Sequence, residues 1–290
     1  EQKLRKLAKQ KGKTLKLRLG SIPSQKLPLF KRIQRAILRP KFTISALIGI
    51  LRNTNNLEAD YIVIGGLKSE QSFRPTSSKV ILAHNLDYDL ILSDKRPQEL
   101  KNSYILFLDE DACYHSDYIQ LGITPYASPQ HYFSTMNKGL YAIAKIFSSK
   151  LVIAAHPRSD YEKITSGFEF PVKKDATYDL IKNAKLIVAH GSTSLQMAIL
   201  CQKPILLVTT DELENSWGST TYNAFRSELK KSVINLDHFP VLIDLFAESE
   251  VNESIYDSYI ENYIKQKGSP DKATWSIVID TLEEDPELVK

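Results

Sequence analysis

The feature that most constrains the fold is an alternation between short apolar runs and longer amphipathic segments. Most of the apolar runs are rich in β-branched residues, which is typical of strands that are buried on both faces. Strands that alternate with helices in this way predict βαβ units and a parallel sheet. The predicted strands cover residues 14–19, 61–64, 79–83, 104–108, 151–155, 186–189 and 204–209.

The predicted elements divide into two halves of a doubly wound α/β architecture. We place the boundary near residue 145, because a helical segment at about 134–148 precedes the strand at 151–155. The domains are then residues 1–145 and 146–290, with closing helices at 240–265 and 271–284. Further helices are predicted at 27–38, 43–53, 175–183 and 192–201.

Composition is that of an ordinary globular protein, with 42% apolar and 25% charged residues. No apolar run reaches the ~20 residues that a membrane-spanning helix needs. The two cysteines, Cys113 and Cys201, lie in no CxxC pattern and form no disulfide framework. These observations predict a reducing, cytoplasmic location.

Basic residues concentrate at the beginning of the sequence. Residues 1–41 contain 14 lysines and arginines and a single acid, Glu1, whereas the whole chain has a net charge of only +4. Such a block is either a solvated basic surface or a contact for anionic lipid, nucleic acid or an anionic substrate. Because Phe30 is its one aromatic residue, it does not resemble a stacking platform for nucleic acid. We therefore predict peripheral contact with the inner face of the membrane and no nucleic-acid partner.

Three acids follow the predicted strand at 104–108. In open α/β sheets, ligands bind beyond the carboxyl ends of the strands. Asp109, Glu110 and Asp111 would repel one another there, which raises the pKa of at least one. A carboxylate at this position can act as a base or a nucleophile. The alternatives are solvated acids at a strand end, or a Mg²⁺ site of the DxD kind.

A histidine and an arginine follow the predicted strand at 151–155. Pro157 fixes the backbone between His156 and Arg158. An imidazole and a guanidinium suit a phosphate leaving group, one as proton donor and the other as a charge clamp. The alternative is a structural histidine that is hydrogen-bonded to its loop.

A small, hydroxyl-rich turn follows the predicted strand at 186–189. Free backbone N–H groups at the start of a helix favour an anion, and Gly191 lets a ligand approach the backbone closely. The alternative is ordinary helix capping by Ser192 or Thr193. Neither a GxxxxGK[ST] nor a GxGxxG motif is present. The predicted donor-binding residues are Arg158, His190, Gly191, Ser192, Thr193 and Ser194.

Polar residues also follow the predicted strand at 79–83. His84 and Asp87 are in position to contact hydroxyl groups of a sugar acceptor. An ordinary polar loop is an equally good interpretation. Asp211 and Glu212, after the strand at 204–209, belong to the same category, near a nucleotide base or ribose.

The order of these motifs resembles that of bacterial sialyltransferases and related CMP-nonulosonate transferases. That family carries D/E-D/E-G, HP and S-S/T motifs on a GT-B fold, and the retaining Kdo transferases share the broader resemblance. The resemblance implies that Asp109 is the catalytic carboxylate and that His156 contacts the donor phosphate and acts as a general acid. It also implies that Ser192 and Thr193 bind the CMP phosphate. Because Asp111 replaces the motif's glycine, Glu110 or Asp111 can take the catalytic role instead.

The resemblance covers about residues 104–212, which also look like uncharacterised bacterial surface-carbohydrate biosynthesis proteins. It implies a GT-B-like fold of two Rossmann-like halves, the first on the acceptor side and the second binding the nucleotide sugar. The implied activity is transfer of a nonulosonate, such as Kdo or a sialic-type acid, from CMP to a growing surface polysaccharide or lipid-linked glycan. No metal or other cofactor is implied. The alternatives are a UDP- or GDP-sugar transferase, a nucleotide-sugar epimerase, or a non-catalytic partner-binding module.

Overall fold

The computed structural model describes the backbone of residues 15–18, together with residues 60–68, 78–96, 104–161, 167–216, 218–239 and 244–285. The chain is an α/β protein with two parallel sheets, as the alternating pattern predicts. The helices predicted at 27–38 and 43–53 lie outside the described residues, as do all basic residues of 1–41 except Lys16 and Arg18.

The first sheet contains three parallel strands in the order β1-β2-β3. They are β1 (Leu15–Arg18), β2 (Tyr61–Ile64) and β3 (Lys79–Leu82). Helix α1 (Leu86–Ser93) follows β3 and begins at Asn85, whose side chain accepts a hydrogen bond from the backbone N–H of Tyr88. This hydrogen bond satisfies one of the free N–H groups at the start of the helix.

The second sheet contains six parallel strands in the order β6-β5-β4-β7-β8-β9. Numbered from β4, this order is 3-2-1-4-5-6, which is that of a Rossmann fold. The direction of winding reverses between the neighbours β4 and β7, so a ligand crevice is expected at their carboxyl ends. The strands are β4 (Ile105–Leu108), β5 (Leu151–Ala154), β6 (Val172–Lys173), β7 (Leu186–Ala189), β8 (Ile205–Thr209) and β9 (Val233–Asn235).

Helices cover both faces of this sheet. Alternate residues of β4 enter opposite cores: Phe107 packs with Met136, and Leu106 packs in the cluster that contains Phe225. The helices are α2 (Asp117–Leu121), α3 (Pro129–Ile146), α4 (Thr177–Asn183), α5 (Leu195–Leu200), α6 (Asp211–Asn215), α7 (Ser219–Leu229), α8 (Leu245–Ser249), α9 (Glu253–Tyr259) and α10 (Thr274–Glu284).

The domain boundary predicted near residue 145 divides the six-stranded sheet and is wrong. β4 pairs directly with both β5 and β7, and α3 is the crossover within the β4–α3–β5 unit. Hydrophobic periodicity marks a strand but does not identify its neighbours, so the helix before β5 was indistinguishable from a connection between two halves. The change from one sheet to the other falls between β3 and β4.

The C-terminal helices lie close to the first sheet, and the helix predicted at 271–284 is confirmed as α10. Ile277 and Val278 of α10 pack against Tyr61 and Ile81 of β2 and β3. The Tyr61 hydroxyl donates to Asp285 across 2.5 Å. The segment predicted as one helix at 240–265 instead contains α8, α9 and a π-helical turn at Ile260–Ile264. Within the described ranges, no helix has the length and apolar character to cross a bilayer.

Candidate functional site

A cavity of about 410 Å³ lies at the carboxyl edge of the six-stranded sheet. Its wall combines residues that follow β4, β5 and β7, so it occupies the crevice that the strand order predicts. The motifs predicted after three separate strands are thereby brought to one place. Polar residues on the wall include Glu110, His115, His156, Gly191, Ser192 and Thr193.

Glu110 is the carboxylate that the first acidic motif contributes to the cavity wall. It follows β4 and accepts a hydrogen bond from the backbone N–H of Gly191 at 2.5 Å, so it bridges the ends of β4 and β7. Burial raises its pKa to about 7, with a smaller upward effect from Asp109 and an opposing effect from the Gly191 N–H. A carboxyl group with this pKa can give or take a proton near neutral pH.

Asp109 lies behind this wall and is only 4% exposed. Its Oδ2 accepts a hydrogen bond from the Tyr161 hydroxyl and lies 3.5 Å from the backbone nitrogen of His156. Burial raises the pKa of Asp109 to about 6, although the Tyr161 hydrogen bond opposes the rise. The structure therefore places Glu110 on the cavity wall and Asp109 beneath it.

Asp111 occupies the glycine position of the motif that the sequence resembles. Its φ is +54°, in the left-handed region that glycine adopts most easily and that aspartate tolerates better than most residues. The position thus has a backbone conformation that suits glycine, although an aspartate occupies it. The acids diverge, with Asp109 bound to Tyr161 and Glu110 to Gly191. Among the described residues, no group of three or more His, Cys, Asp or Glu side chains is arranged to hold a metal ion.

His156 follows β5 and lies half-buried on the cavity wall. Its Nδ1 accepts a hydrogen bond from the backbone N–H of Arg158 at 3.2 Å. Burial lowers the pKa of His156, and the neighbouring His115 and Arg158 lower it further, so the imidazole is neutral at pH 7. The Arg158 guanidinium does not line the cavity but donates to Asp117 Oδ1 at 2.9 Å.

His115 is a wall residue that the sequence did not single out as a site residue. Its ring lies beside that of His156, with 4.7 Å between the centroids. The residue is brought there by the turn at Asp111, whose carbonyl accepts the His115 backbone N–H at 2.9 Å. The left-handed residue that creates this turn was the available signal, but a single sequence does not reveal a dihedral angle.

The turn after β7 contributes Gly191, Ser192 and Thr193 to the wall. A side chain at Gly191 is excluded, because a Cβ there would lie 2.7 Å from the backbone nitrogen of Tyr222. Helix α5 is only six residues long, so individual N–H and hydroxyl groups, rather than a helix dipole, must provide any affinity for an anion. Ser194 lies outside the cavity wall and donates its N–H to Ser192 Oγ at 3.3 Å.

His190 borders the cavity, but the structure does not leave it available as a donor-binding group. Its Nδ1–H donates to the Val208 carbonyl at 2.8 Å, so Nε2 accepts from the Tyr132 hydroxyl at 3.0 Å. Burial lowers the pKa of His190 to about 4. Because both ring nitrogens have protein partners, the predicted role of His190 in binding a donor phosphate is corrected to a structural one.

His84 and Asp87, the predicted acceptor-binding pair, lie outside the cavity wall. His84 is fully buried, with ring nitrogens 2.9 Å and 2.8 Å from the carbonyl oxygens of Asn85 and Lys272. A ring enclosed in this way is not open to a sugar, which corrects the prediction for His84. Asp87 is half-buried in the first turn of α1, and burial raises its pKa to about 6.

Asn85, next to His84, connects the two sheets instead. Its side-chain amide donates to Gln196 Oε1 at 2.5 Å. Gln196 lies in α5, directly after the turn that borders the cavity. The loop after β3 is thus bound to α5 and does not line the cavity.

No protein-family model and no curated protein sequence matches the chain. Among solved structures, it is similar to a variant of the wall teichoic acid polymerase TagF soaked with CDPG, with 12% identity and a TM-score of 0.48. That match covers 78% of this chain and 59% of the TagF chain, so this chain spans less than two thirds of the TagF length. It is also similar to the calicheamicin glycosyltransferase CalG4, with 12% identity, a TM-score of 0.48 and coverage of 94% and 68% of the two chains. A third similar structure is the Methanocaldococcus jannaschii UDP-GlcNAc 2-epimerase with UDP-GlcNAc and UDP, at 12% identity, a TM-score of 0.39 and coverage of 81% and 79%.

Proposed function

We propose that the chain is a GT-B-like glycosyltransferase that binds a nucleotide-linked sugar in the cavity between β4 and β7. One observation carries this proposal: Glu110, His156 and the turn that begins at Gly191 come from three separate strand ends and line a single cavity. At about 410 Å³, the cavity is within the size range of small-molecule sites. Its position is also where doubly wound sheets bind nucleotides.

The chemistry of the wall suits a donor whose leaving group is a phosphate. Gly191 lets the turn after β7 pack closely against the backbone of Tyr222, and the hydroxyls of Ser192 and Thr193 supply hydrogen-bond donors on the cavity wall. His156 borders the same cavity, and its neutral imidazole can donate a hydrogen bond to an oxygen that gains charge as the glycosidic bond breaks. Glu110 supplies a carboxyl group with a pKa of about 7, which suits deprotonation of an acceptor hydroxyl.

The more specific part of the proposal concerns the donor, the acceptor and the location. The order of the acidic, HP and Ser-Thr motifs supports a CMP-linked nonulosonate donor and a metal-independent transfer. The acceptor would be a growing surface polysaccharide or a lipid-linked glycan, held with the help of the first sheet and its loops. The basic residues at 1–41 support a cytoplasmic enzyme that contacts anionic lipids at the membrane.

Calorimetric titration with CMP, UDP and GDP tests the proposal. We expect one nucleotide to bind, and we expect His156→Ala to weaken its binding at least tenfold. His238→Ala is the matched control, because this imidazole is 68% exposed, pairs with Asp211 and lies outside the cavity wall. Combined replacement of Ser192 and Thr193 by alanine should also weaken binding, whereas Ser227→Ala, on the exposed side of α7, should not.

Two results would change the proposal. If none of the three nucleotides binds, or if His156→Ala binds as tightly as the wild type, the cavity is not a nucleotide-sugar site. If UDP or GDP binds and CMP does not, the donor assignment is wrong and the cavity assignment stands.

A further inference from the structure

Two imidazoles stand side by side on the cavity wall. His115 follows β4 and His156 follows β5, so their proximity is created by the fold and not by the local sequence. Their ring centroids are 4.7 Å apart and their planes are inclined by 60°. Both residues border the same cavity as Ser192 and Thr193.

The hydrogen bonds of the two rings fix the same tautomer in each. The backbone N–H of Asp117 donates to His115 Nδ1 at 3.2 Å, and that of Arg158 donates to His156 Nδ1 at 3.2 Å. A backbone N–H can only donate, so each Nδ1 is an acceptor and the proton of each neutral ring lies on Nε2. The carboxylate of Asp117 is 3.7 Å from His115 Nδ1, which is too long for a competing hydrogen bond.

The two loops that carry these rings are tied together. Arg158 donates to Asp117 Oδ1 at 2.9 Å, and these are the residues whose backbone N–H groups orient the imidazoles. Within the part of the chain that the structure describes, neither Nε2–H has a protein acceptor. The Nε2–H groups of His115 and His156 are thus two hydrogen-bond donors on loops that an ion pair holds together at the edge of a cavity.

We propose that His115 and His156 act as a paired clamp, each donating its Nε2–H to one phosphate group of the bound nucleotide. The proposal rests on the proposed function, and it adds His115 as a second imidazole ligand of the donor. Two N–H donors match the acceptor oxygens of a phosphate. They do not match a metal ion, because a metal needs the Nε2 lone pair and the other nitrogen would then be a donor.

Nuclear magnetic resonance of the full chain, labelled with ¹⁵N at histidine, tests the clamp directly. In the free protein, we expect His115 and His156 each to show a pyridine-like Nδ1 and a pyrrole-like Nε2. On saturation with the nucleotide that binds most tightly among CMP, UDP and GDP, both Nε2 signals should shift and those of His238 should not. This measurement uses the wild-type protein, so it does not depend on whether a variant folds.

The nucleotide affinities of three histidine variants test the clamp quantitatively. We expect His115→Ala to weaken nucleotide binding about tenfold, as His156→Ala does, while His238→Ala has no effect. If His115→Ala binds the nucleotide as tightly as the wild type, or if its Nε2 is pyridine-like in the free protein, the clamp is refuted.

Titrations with nucleotides and with inorganic phosphate distinguish failure of the clamp from failure of the proposed function. If a nucleotide shifts the amide signals of Ser192 and Thr193 but leaves both imidazoles unchanged, the clamp is refuted and the nucleotide site stands. If inorganic phosphate shifts both Nε2 signals and none of the nucleotides does, the clamp binds free phosphate and the nucleotide-sugar function is refuted. If neither inorganic phosphate nor any nucleotide shifts either imidazole, the clamp is refuted.

Discussion

The backbone N–H of Gly191 donates to Glu110 Oε1 across 2.5 Å, which joins the ends of the two strands that flank the cavity. In the proposed function, this stretch of backbone faces the donor phosphate. An ionised Glu110 and a bound phosphate would then compete for the same backbone N–H groups. The two negative charges would also repel each other. Protonation of Glu110 removes the competition.

Glu110→Gln should therefore strengthen nucleotide binding at alkaline pH. Because burial raises the pKa of Glu110 to about 7, the wild-type carboxyl group loses its proton between pH 6.5 and 8.5 and affinity should fall about tenfold. The glutamine cannot ionise, so the affinity of the variant should vary little over this range. The measurement is calorimetry with a sugar nucleotide, whose phosphodiester or diphosphate diester does not itself titrate there.

Glu253→Gln is the control for this series, because Glu253 is exposed at the start of α9. His156, whose pKa is lowered, stays neutral above pH 7 and does not add to the slope. If wild-type affinity is flat across the range, or if Glu110→Gln weakens binding at pH 8.5, the carboxylate does not compete with the ligand.

Asp109→Asn should change how stability depends on pH. The folded-state pKa of Asp109 is about 6 and the ordinary value is 3.8, so the folded protein keeps a proton that the unfolded chain releases. This contribution to stability is present below pH 3.8 and is lost as the pH rises through 6. Relative to the wild type, the variant should gain about 2–3 kcal/mol in free energy of unfolding between pH 4 and pH 8.

Urea unfolding of both proteins at the two pH values measures this gain. Asp257→Asn, at an exposed position of α9, should show no such change. A gain that is absent or has the opposite sign would mean that folding does not raise the pKa of Asp109.

Asp111→Gly should stabilise the protein. The φ of +54° at Asp111 costs a residue with a Cβ more than it costs glycine, and the expected gain in free energy of unfolding is about 1 kcal/mol. Asp257→Gly is the matched control, since the same substitution within a helix should cost about 0.3 kcal/mol. Thermal unfolding of both variants and the wild type measures whether each substitution raises or lowers the free energy of unfolding. A loss of stability in Asp111→Gly would contradict the argument from the backbone conformation.

Tyr132→Phe separates the structural role of His190 from a role in binding. It removes the hydroxyl that donates to His190 Nε2 and leaves a buried acceptor without its partner, which should cost about 1–2 kcal/mol in free energy of unfolding. Nucleotide affinity should be unchanged, because His190 is not a ligand in the proposed site. Tyr141→Phe, 66% exposed on the same helix, should change neither quantity. A tenfold loss of nucleotide affinity in Tyr132→Phe would mean that His190 contributes to nucleotide binding.

The meeting of His156 with Ser192 and Thr193 was predictable from the sequence, because the carboxyl ends of parallel strands lie on one edge of a sheet. The strand order was not predictable, since pairing depends on contacts between distant segments. β6 and β9, with two and three residues, were too short to show a hydrophobic pattern.

The finer details of the site depended on local geometry that no pattern of residue types contains. Asp109 and Glu110 are neighbours in a sequence of three acids, and only the direction of the chain after β4 decides which one borders the cavity. His190 looked available because its hydrogen-bond partners, Tyr132 and Val208, come from other elements. His115 was missed because its place depends on the left-handed turn at Asp111.

The packing of α10 against β2 and β3 has a consequence for how the chain is made. Ile277 and Val278, which cover Tyr61, Val63 and Ile81, lie further along the chain and leave the ribosome after them. A chain emerges from its N-terminus onward. The six-stranded sheet can therefore assemble before α10 is synthesised and covers the apolar face of the first sheet. A ribosome that stops before residue 274 would release a protein that has every residue of the cavity wall but exposes an apolar face of the first sheet. We expect such fragments to be captured by chaperones or proteases.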